Sequence, residues 1–176
     1  MPVLVTPRLL LLPLSRALLE ARLRQDTFTL SCAAPDGPLE VTFPAEWPGD
    51  PLPSFPGKLA RLSAQQQEVG GSFVAVTRQT PTAVGQLGVK GSPTADGVQE
   101  IGYGFNPAVW GQGYATEAVA ALAGHLLAEP GIRAVSAQTA VTNVASARVL
   151  AKTGFVQTGT AWDEEDGDLL VWQRRG

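Results

Sequence analysis

The 176-residue sequence predicts an α/β (α+β) fold, a mixed and largely antiparallel sheet with helices on both faces. Three observations carry that expectation. Strand-like and helix-like segments follow one another in the order β-α-α-β-β-β-α-β-α-β-β. Three of the strand-like segments, at residues 73–76, 84–89 and 98–105, are separated by connections that suit antiparallel hairpins. One strand also enters a helix through a glycine-rich turn, within residues 100–127, EIGYGFNPAVWGQGYATEAVAALAGHLL.

In chain order, residues 6–13 (TPRLLLLP) read as a short strand closed by Pro13. Ser15 follows as a helix N-cap, with the helix running from Arg16 to about Arg24. Between residues 31 and 57 stand Pro35, Pro38, Pro44, Pro48, Pro51, Pro53 and Pro56. Prolines at that density break regular elements, so this stretch is expected to be an extended connection rather than a second domain. Residues 58–68, with Leu59, Leu62 and the polar Gln65, Gln66 and Gln67, read as a helix. The strands at 73–76 and 84–89 are joined by a turn containing Pro81, and residues 98–105 pair next. Past the glycine turn, Ala115, Val119, Leu122, Ala123 and Leu126 recur at helical spacing, and the helix stops before Pro130. A strand at 133–139 is followed by a helix opened by Asn143, with Ala147, Leu150 and Ala151 toward the core and Gly154 as its C-terminal stop. Residues 155–160 and 168–173 form a final hairpin with 163–167 at its tip. Its edge could pair two chains, so a homodimer stays open.

Bulk properties exclude several classes. A hydrophobic content of 44% and a charged content of 16% describe a globular chain, not a disordered one. The whole of residues 1–176 is expected to be a single domain. A formal charge of −3 argues against nucleic acid as a partner, since that role needs a basic face. Cys32 and His125 are the sole cysteine and histidine, so no internal disulfide and no zinc ligand set is expected, and a reducing cytoplasm is the expected location. The leucine run at 9–12 is interrupted by Pro13 and followed by charges with no cleavage site, which argues against a signal segment, and no stretch reaches membrane-spanning length.

The glycine turn is the feature with chemistry in it. A strand feeding a helix through Gly111-Gln112-Gly113 leaves main-chain N–H groups without partners at the positive end of the helix dipole. Glycine lets a phosphate approach the backbone, so the turn is an anion site whose natural occupant is a phosphate or pyrophosphate. No G-K-[ST] ending follows, which counts against a nucleoside-triphosphate P-loop. A dinucleotide fold wants a third glycine where Thr116 stands, and a first strand near the N-terminus.

Three stretches together resemble the acetyl-CoA site of the GNAT superfamily of N-acetyltransferases, and in particular its RimJ/RimL-like branch of ribosomal-protein N-terminal acetyltransferases. They are residues 100–103 (EIGY), 110–118 (WGQGYATEA), and 143–155 (NVASARVLAKTGF). The opening TPRLLLLP is similar to that branch as well. The superfamily pattern is Q/R-x-x-G-x-G/A: Gly113 and Ala115 fit it, whereas Trp110 stands where Gln or Arg is usual. That departure removes one side chain that would support a pyrophosphate. The resemblance implies a GNAT-like fold and acetyl-CoA as co-substrate, held by Trp110, Gly111, Gln112, Gly113, Tyr114, Ala115 and Thr116, with no metal.

Acetyl transfer from a thioester to an amine needs a grip on the coenzyme, a base for the attacking nitrogen and help for the leaving thiolate. Direct attack in a ternary complex needs no covalent intermediate, consistent with a sequence that offers no Ser-His-Asp or Cys-His set. The resemblance implies Glu100 as base, often acting through water; the plainer reading is an exposed glutamate at a strand end. It implies Ser146 beside the thioester sulfur, against the reading of a first-turn serine bonding the backbone. Asn143 reads from its position as a helix N-cap, and the resemblance implies a partner of the pantetheine arm; one amide can do both. Arg148, with Lys152 four residues on, reaches for the coenzyme phosphates or lies on a solvated edge. Glu117 suits the helix dipole, the acids at 163–166 suit a solvated hairpin tip, and His125 and Cys32 have no assigned chemistry. The sequence therefore reads as an N-acetyltransferase for a primary amine, a protein N-terminus or a small molecule. The alternative is a non-catalytic acyl-CoA-binding sensor.

Overall fold

The computed structural model describes all 176 residues. They form a mixed α/β fold with four α-helices and mostly antiparallel strand pairing. The chain packs as two compact units: Met1–Gly88 with Tyr103–Ala118, and Val89–Gly102 with Val119–Gly176.

In the first unit, β1 (Leu4–Val5), β2 (Leu9–Ser15), β5 (Glu68–Thr77) and β6 (Ala83–Lys90, whose last two residues belong to the second unit) lie in the order β1-β2-β5-β6. The register sets Leu12 opposite Val74 and Phe73 opposite Leu87. Leu9, Leu11, Leu12 and Leu14 are all buried, which is why a run of leucine is tolerated there. Pro13 does not close this strand as expected. The strand continues to Ser15 and absorbs the proline at a register shift between Pro13 and Ser15, where no ladder N–H is required of it. Ser15 then caps α1 (Arg16–Arg24) by accepting the Leu18 N–H at 3.2 Å.

The proline-rich stretch departs most from expectation, because it folds. β3 (Phe28–Ala34) and β4 (Gly37–Phe43) form a two-stranded antiparallel sheet pairing Phe28 with Phe43. Pro35 falls in its turn, and Pro38 stands at the second position of a strand with one partner. Pro53 and Pro56 sit in the opening turns of a short 3-10 helix and of α2 (Phe55–Arg61), where a missing N–H costs nothing. The helix expected at 58–68 is therefore earlier and shorter. It ends at Leu62 in an extended conformation; Gln66 accepts the Ser63 N–H at 2.9 Å, and the strand β5 begins at Glu68. The aromatic residues among the prolines form the core here. The rings of Phe28 and Phe43 stack at 4.5 Å, while Trp47 meets Phe43 and Phe55 edge-on at 4.8 and 5.5 Å. The Trp47 indole N–H is satisfied by the Gly85 carbonyl at 3.1 Å.

In the second unit the strand order is β7-β8-β10-β9. β7 (Val98–Phe105) begins in this unit and ends in the first. It pairs in parallel with β8 (Ala134–Ala140), and the chain between them contains α3 (Tyr114–Leu127), the crossover a parallel pair requires. β10 (Gly167–Arg175) pairs antiparallel with β8 and with β9 (Val156–Asp163), as the expected final hairpin. α4 (Val144–Lys152) lies between β8 and β9 in sequence, and a glycine ends it. Gly154 takes φ 84°, its N–H reaches the Ala151 carbonyl, and the Phe155 N–H reaches the Leu150 carbonyl at 3.0 Å. This is the Schellman pattern, completed by the burial of Leu150 and Phe155.

That cap yields a test. Gly154→Ala places a Cβ in the left-handed region and should lower stability by about 1 kcal/mol. The expected signature is a lower urea midpoint with an unchanged slope.

Candidate functional site

The site begins where β7 ends. Asn106 is 1% exposed; its backbone N–H binds the Val84 carbonyl at 2.8 Å and its side-chain amide binds that of Ala83 at 2.9 Å. Both ties fasten the strand end to β6. Pro107–Val109 makes a 3-10 turn, and Trp110 caps it with an N–H to the Pro107 carbonyl. The Trp110 indole N–H returns to the Phe105 carbonyl at 2.8 Å, while the residue as a whole stays 68% exposed.

Gly111 and Gly113 then turn the chain with φ 78° and 81°. A side chain at Gly111 would stand in open space, so backbone conformation rather than crowding calls for glycine there. The bond that starts α3 is Glu117 N–H to the Gly113 carbonyl at 3.1 Å. The amides of Gly113, Tyr114, Ala115 and Thr116 precede it and have no carbonyl one helical turn back. Gly111, Gln112 and Gly113 are exposed, and Tyr114, Ala115 and Thr116 are half-buried. The turn is an exposed main-chain donor set at a helix N-terminus, as the sequence led us to expect.

Arg8, from the turn between β1 and β2, holds this loop. Its Nη1 donates to the Gln112 carbonyl at 2.7 Å and its Nε to Glu117 Oε2 at 2.7 Å, and its guanidinium lies 4.6 Å from the centre of the Tyr114 ring. Glu117 Oε1 accepts the Arg8 backbone N–H at 2.8 Å and the Thr6 hydroxyl at 2.5 Å. The turn is itself braced: Arg78 Nη1 donates to the Thr6 and Pro7 carbonyls at 2.9 and 3.2 Å. Burial opposes ionisation of Glu117, but the hydrogen bonds from Thr6 and Arg8 and the Arg8 charge outweigh it and hold the carboxyl below the usual glutamate range. Sequence reasoning gave Glu117 to the helix dipole and missed Arg8. The available signal was its place in TPRL, but its partners stand more than a hundred residues away.

The remaining sequence-derived residues lie in the second unit. Glu100 is in β7, and its carboxylate is 3.6 Å from Lys90 Nζ. Gly102 makes room for that lysine, since a Cβ there would come within 2.7 Å of Lys90 Cε. Lys90 is a neighbour the sequence did not reveal. Asn143 is the N-cap of α4, its Oδ1 accepting the Ser146 N–H at 3.1 Å. Ser146 is half-buried, and Arg148 and Lys152 are exposed.

Other groups serve the structure. Asp163 Oδ1 accepts the N–H groups of Glu165 and Asp166, fixing the exposed tip of the last hairpin. His125 lies 3.4 Å from Glu129, one helical turn on. Cys32 is buried; burial, then the Glu40 charge, pushes its thiol up to about 11. A surface depression lined by Arg22, Asp26, Leu52 and Pro56, among others, includes none of the residues singled out above. No helix is long and apolar enough to cross a membrane.

Residues 41–156 match a family model described as an acetyltransferase (GNAT) domain. A search of curated protein sequences returned no match. Among solved structures, the chain is similar to a GNAT-family acetyltransferase from Bacillus anthracis at 20% identity and a TM-score of 0.66, over 99% of this chain and 98% of that one. It is similar to the ribosomal-protein-S5-alanine acetyltransferase of Vibrio fischeri at 21% identity and a TM-score of 0.54, over 59% of this chain and 60% of that one. It is also similar to AAC(6')-Ib in complex with ribostamycin and coenzyme A, at 21% identity and 0.51, over 60% and 64% of the two chains. At such identities the likeness speaks for the fold.

The clasp predicts a pH signature. Because the Glu117 carboxyl is held low, its stabilisation is complete above the unfolded value of about 4.3 and is lost as pH falls through the lower folded value. Glu117→Gln should cost on the order of 1 kcal/mol at neutral pH. In urea unfolding from pH 7 to 3, the gap to the parent should close at the acid end. A gap that ignores pH would remove the charge from the explanation.

Proposed function

The chain belongs to the GNAT acetyltransferase family, and from that premise we propose that it is an acetyl-CoA-dependent N-acetyltransferase of the RimJ/RimL-like branch, acting as a single domain over residues 1–176 on a primary amine. The observation that carries this reading is the braced glycine turn, whose open amides at the start of α3 suit the diphosphate of coenzyme A. The amides from Gly111 to Thr116 take the diphosphate. The Trp110 and Tyr114 rings and Gln112 border it, and Asn143 and Arg148 act on the pantetheine arm and the phosphates. Two of the similar structures are named for amine substrates, a protein alanine and an aminoglycoside, and both kinds fit a primary-amine acceptor.

The transfer runs in one ternary complex. The amine nitrogen attacks the thioester carbonyl carbon, the C–N bond forms, the C–S bond breaks, and the coenzyme leaves as thiolate. Glu100, directly or through water, takes the proton the nitrogen loses, and Ser146 gives the departing sulfur a hydrogen bond. A cationic acceptor meets Glu100 already beside Lys90, so substrate ammonium and lysine compete for one carboxylate. The Cys32 thiol, buried and pushed up to about 11, offers no nucleophile for an acyl-enzyme route, which favours direct attack. A reducing cytoplasm suits this lone thiol.

The reading predicts that acetyl-CoA binds in calorimetry and that an amine and peptide panel contains acceptors that release free thiol. Binding with no release across the panel would turn the reading toward a non-catalytic acyl-CoA sensor. Glu100→Gln should lower kcat/KM by about a hundredfold and abolish the acid limb of its pH profile; an unchanged profile removes Glu100 as base. Ser146→Ala should lower kcat by roughly tenfold while leaving coenzyme A affinity in place, the pattern of an interaction made in the transition state.

A further inference from the structure

The glycine turn that the proposed function rests on is tied from outside as well as from within, and the structure shows the outside tie. Gln112 lies between two glycines, and its side chain makes a 3.4 Å contact back to the Ala108 carbonyl. The Gln112 carbonyl, however, is gripped at 2.7 Å by Arg8 Nη1. In a planar trans peptide the carbonyl and the next N–H point to opposite sides. Capturing the Gln112 oxygen on the Arg8 side therefore aims the Gly113 N–H the other way. One guanidinium spends its Nε on Glu117 in the first turn of α3 and its Nη1 on the loop peptide, with Tyr114 beneath it. The fork geometry of arginine makes the two bonds one constraint: loop and helix start cannot shift independently.

We infer that Arg8 is a positioning residue for the coenzyme site, setting the orientation of the Gln112–Gly113 peptide so that its N–H serves the anion. This rests on the reading that residues 110–116 bind the coenzyme diphosphate. It also answers the substitution at Trp110. Where the family pattern uses a Gln or Arg side chain within the motif, this chain has an indole tied to its own turn through the Phe105 carbonyl. A guanidinium from the N-terminal strands supplies order at the same loop from behind the peptide. Arg78, by donating to the Thr6 and Pro7 carbonyls, keeps the turn carrying Arg8 in place.

The test compares Arg8→Ala, Arg8→Lys and Thr6→Val by coenzyme A calorimetry, steady-state kinetics and thermal melting. Lysine keeps a charge near Glu117 but cannot hold a carboxylate and a carbonyl in one planar fork. Thr6→Val removes the hydroxyl bond to Glu117 and leaves the Arg8 bond to the Gln112 carbonyl, so it serves as the stability control. The expected result is a Kd for coenzyme A, and a KM for acetyl-CoA, raised about tenfold in both Arg8 variants, the value of one charge-assisted hydrogen bond. kcat at saturating acetyl-CoA should stay near the parent's, and Thr6→Val should melt earlier while keeping the parent's Kd. If Arg8→Ala does not fold, comparing Arg8→Lys with Thr6→Val decides the question in the same way. Arg8 variants that bind as tightly as a binding parent, or a Thr6→Val protein weakened as much as they are, overturn the inference alone. A parent that binds no coenzyme A overturns the reading of the loop and this inference with it.

Discussion

The clasp between Arg8 and Glu117 is the constraint on which the site's geometry depends. A glycine turn is an anion receptor only if its amides point one way, and glycine gives the backbone the least reason to do so. Here the conformational freedom of Gly111 and Gly113 is offset by hydrogen bonds from outside the loop. One guanidinium makes two of them, to the Gln112 carbonyl and to Glu117; the Thr6 hydroxyl and the Arg8 backbone N–H close on the same carboxylate and steady Glu117 without touching the loop. An exposed ion pair is ordinarily worth little. This one differs because the Glu117 side chain is only 15% exposed, and because Thr6, itself buried, completes its coordination. With the Arg8 side chain 47% exposed, the arrangement is a partly buried network, anchored on its carboxylate side, rather than an isolated surface salt bridge.

Much of the architecture was legible because it is encoded locally. The strand read at residues 98–105 has the observed ends of β7, and Pro130 marked where α3 must stop. Ser15 and Asn143 were readable as caps, since a short polar side chain before an apolar periodic run has few other uses. Gly154 was readable as a stop for the same kind of reason. The glycine turn was visible because its glycines, strand and helix are contiguous in the chain.

What was not legible depends on partners distant in sequence. Proline density at 35–56 argued against regular structure, yet a two-stranded sheet has outer edges that tolerate proline, and short helices accept it in their first turn. The burial of Phe43, Trp47 and Phe55 then overrode local propensity. Lys90 beside Glu100 was hidden because strand pairing, not spacing, decides which side chains face each other. Arg8 stood in a recognisable string, TPRL, but nothing in that string says that its guanidinium closes on residues 112 and 117.

The span of that closure has a consequence for how the protein comes into being and how it could be reused. Thr6 and Arg8 leave the ribosome early, and their acceptors follow after more than a hundred further residues. The turn is therefore among the late features to set during vectorial synthesis, when the non-local pairing it needs has at last been brought within reach. By the same logic the 110–127 stretch is not a portable cassette. Transplanted into another scaffold without the strand turn that grips it, it would carry the motif's letters but not its shape.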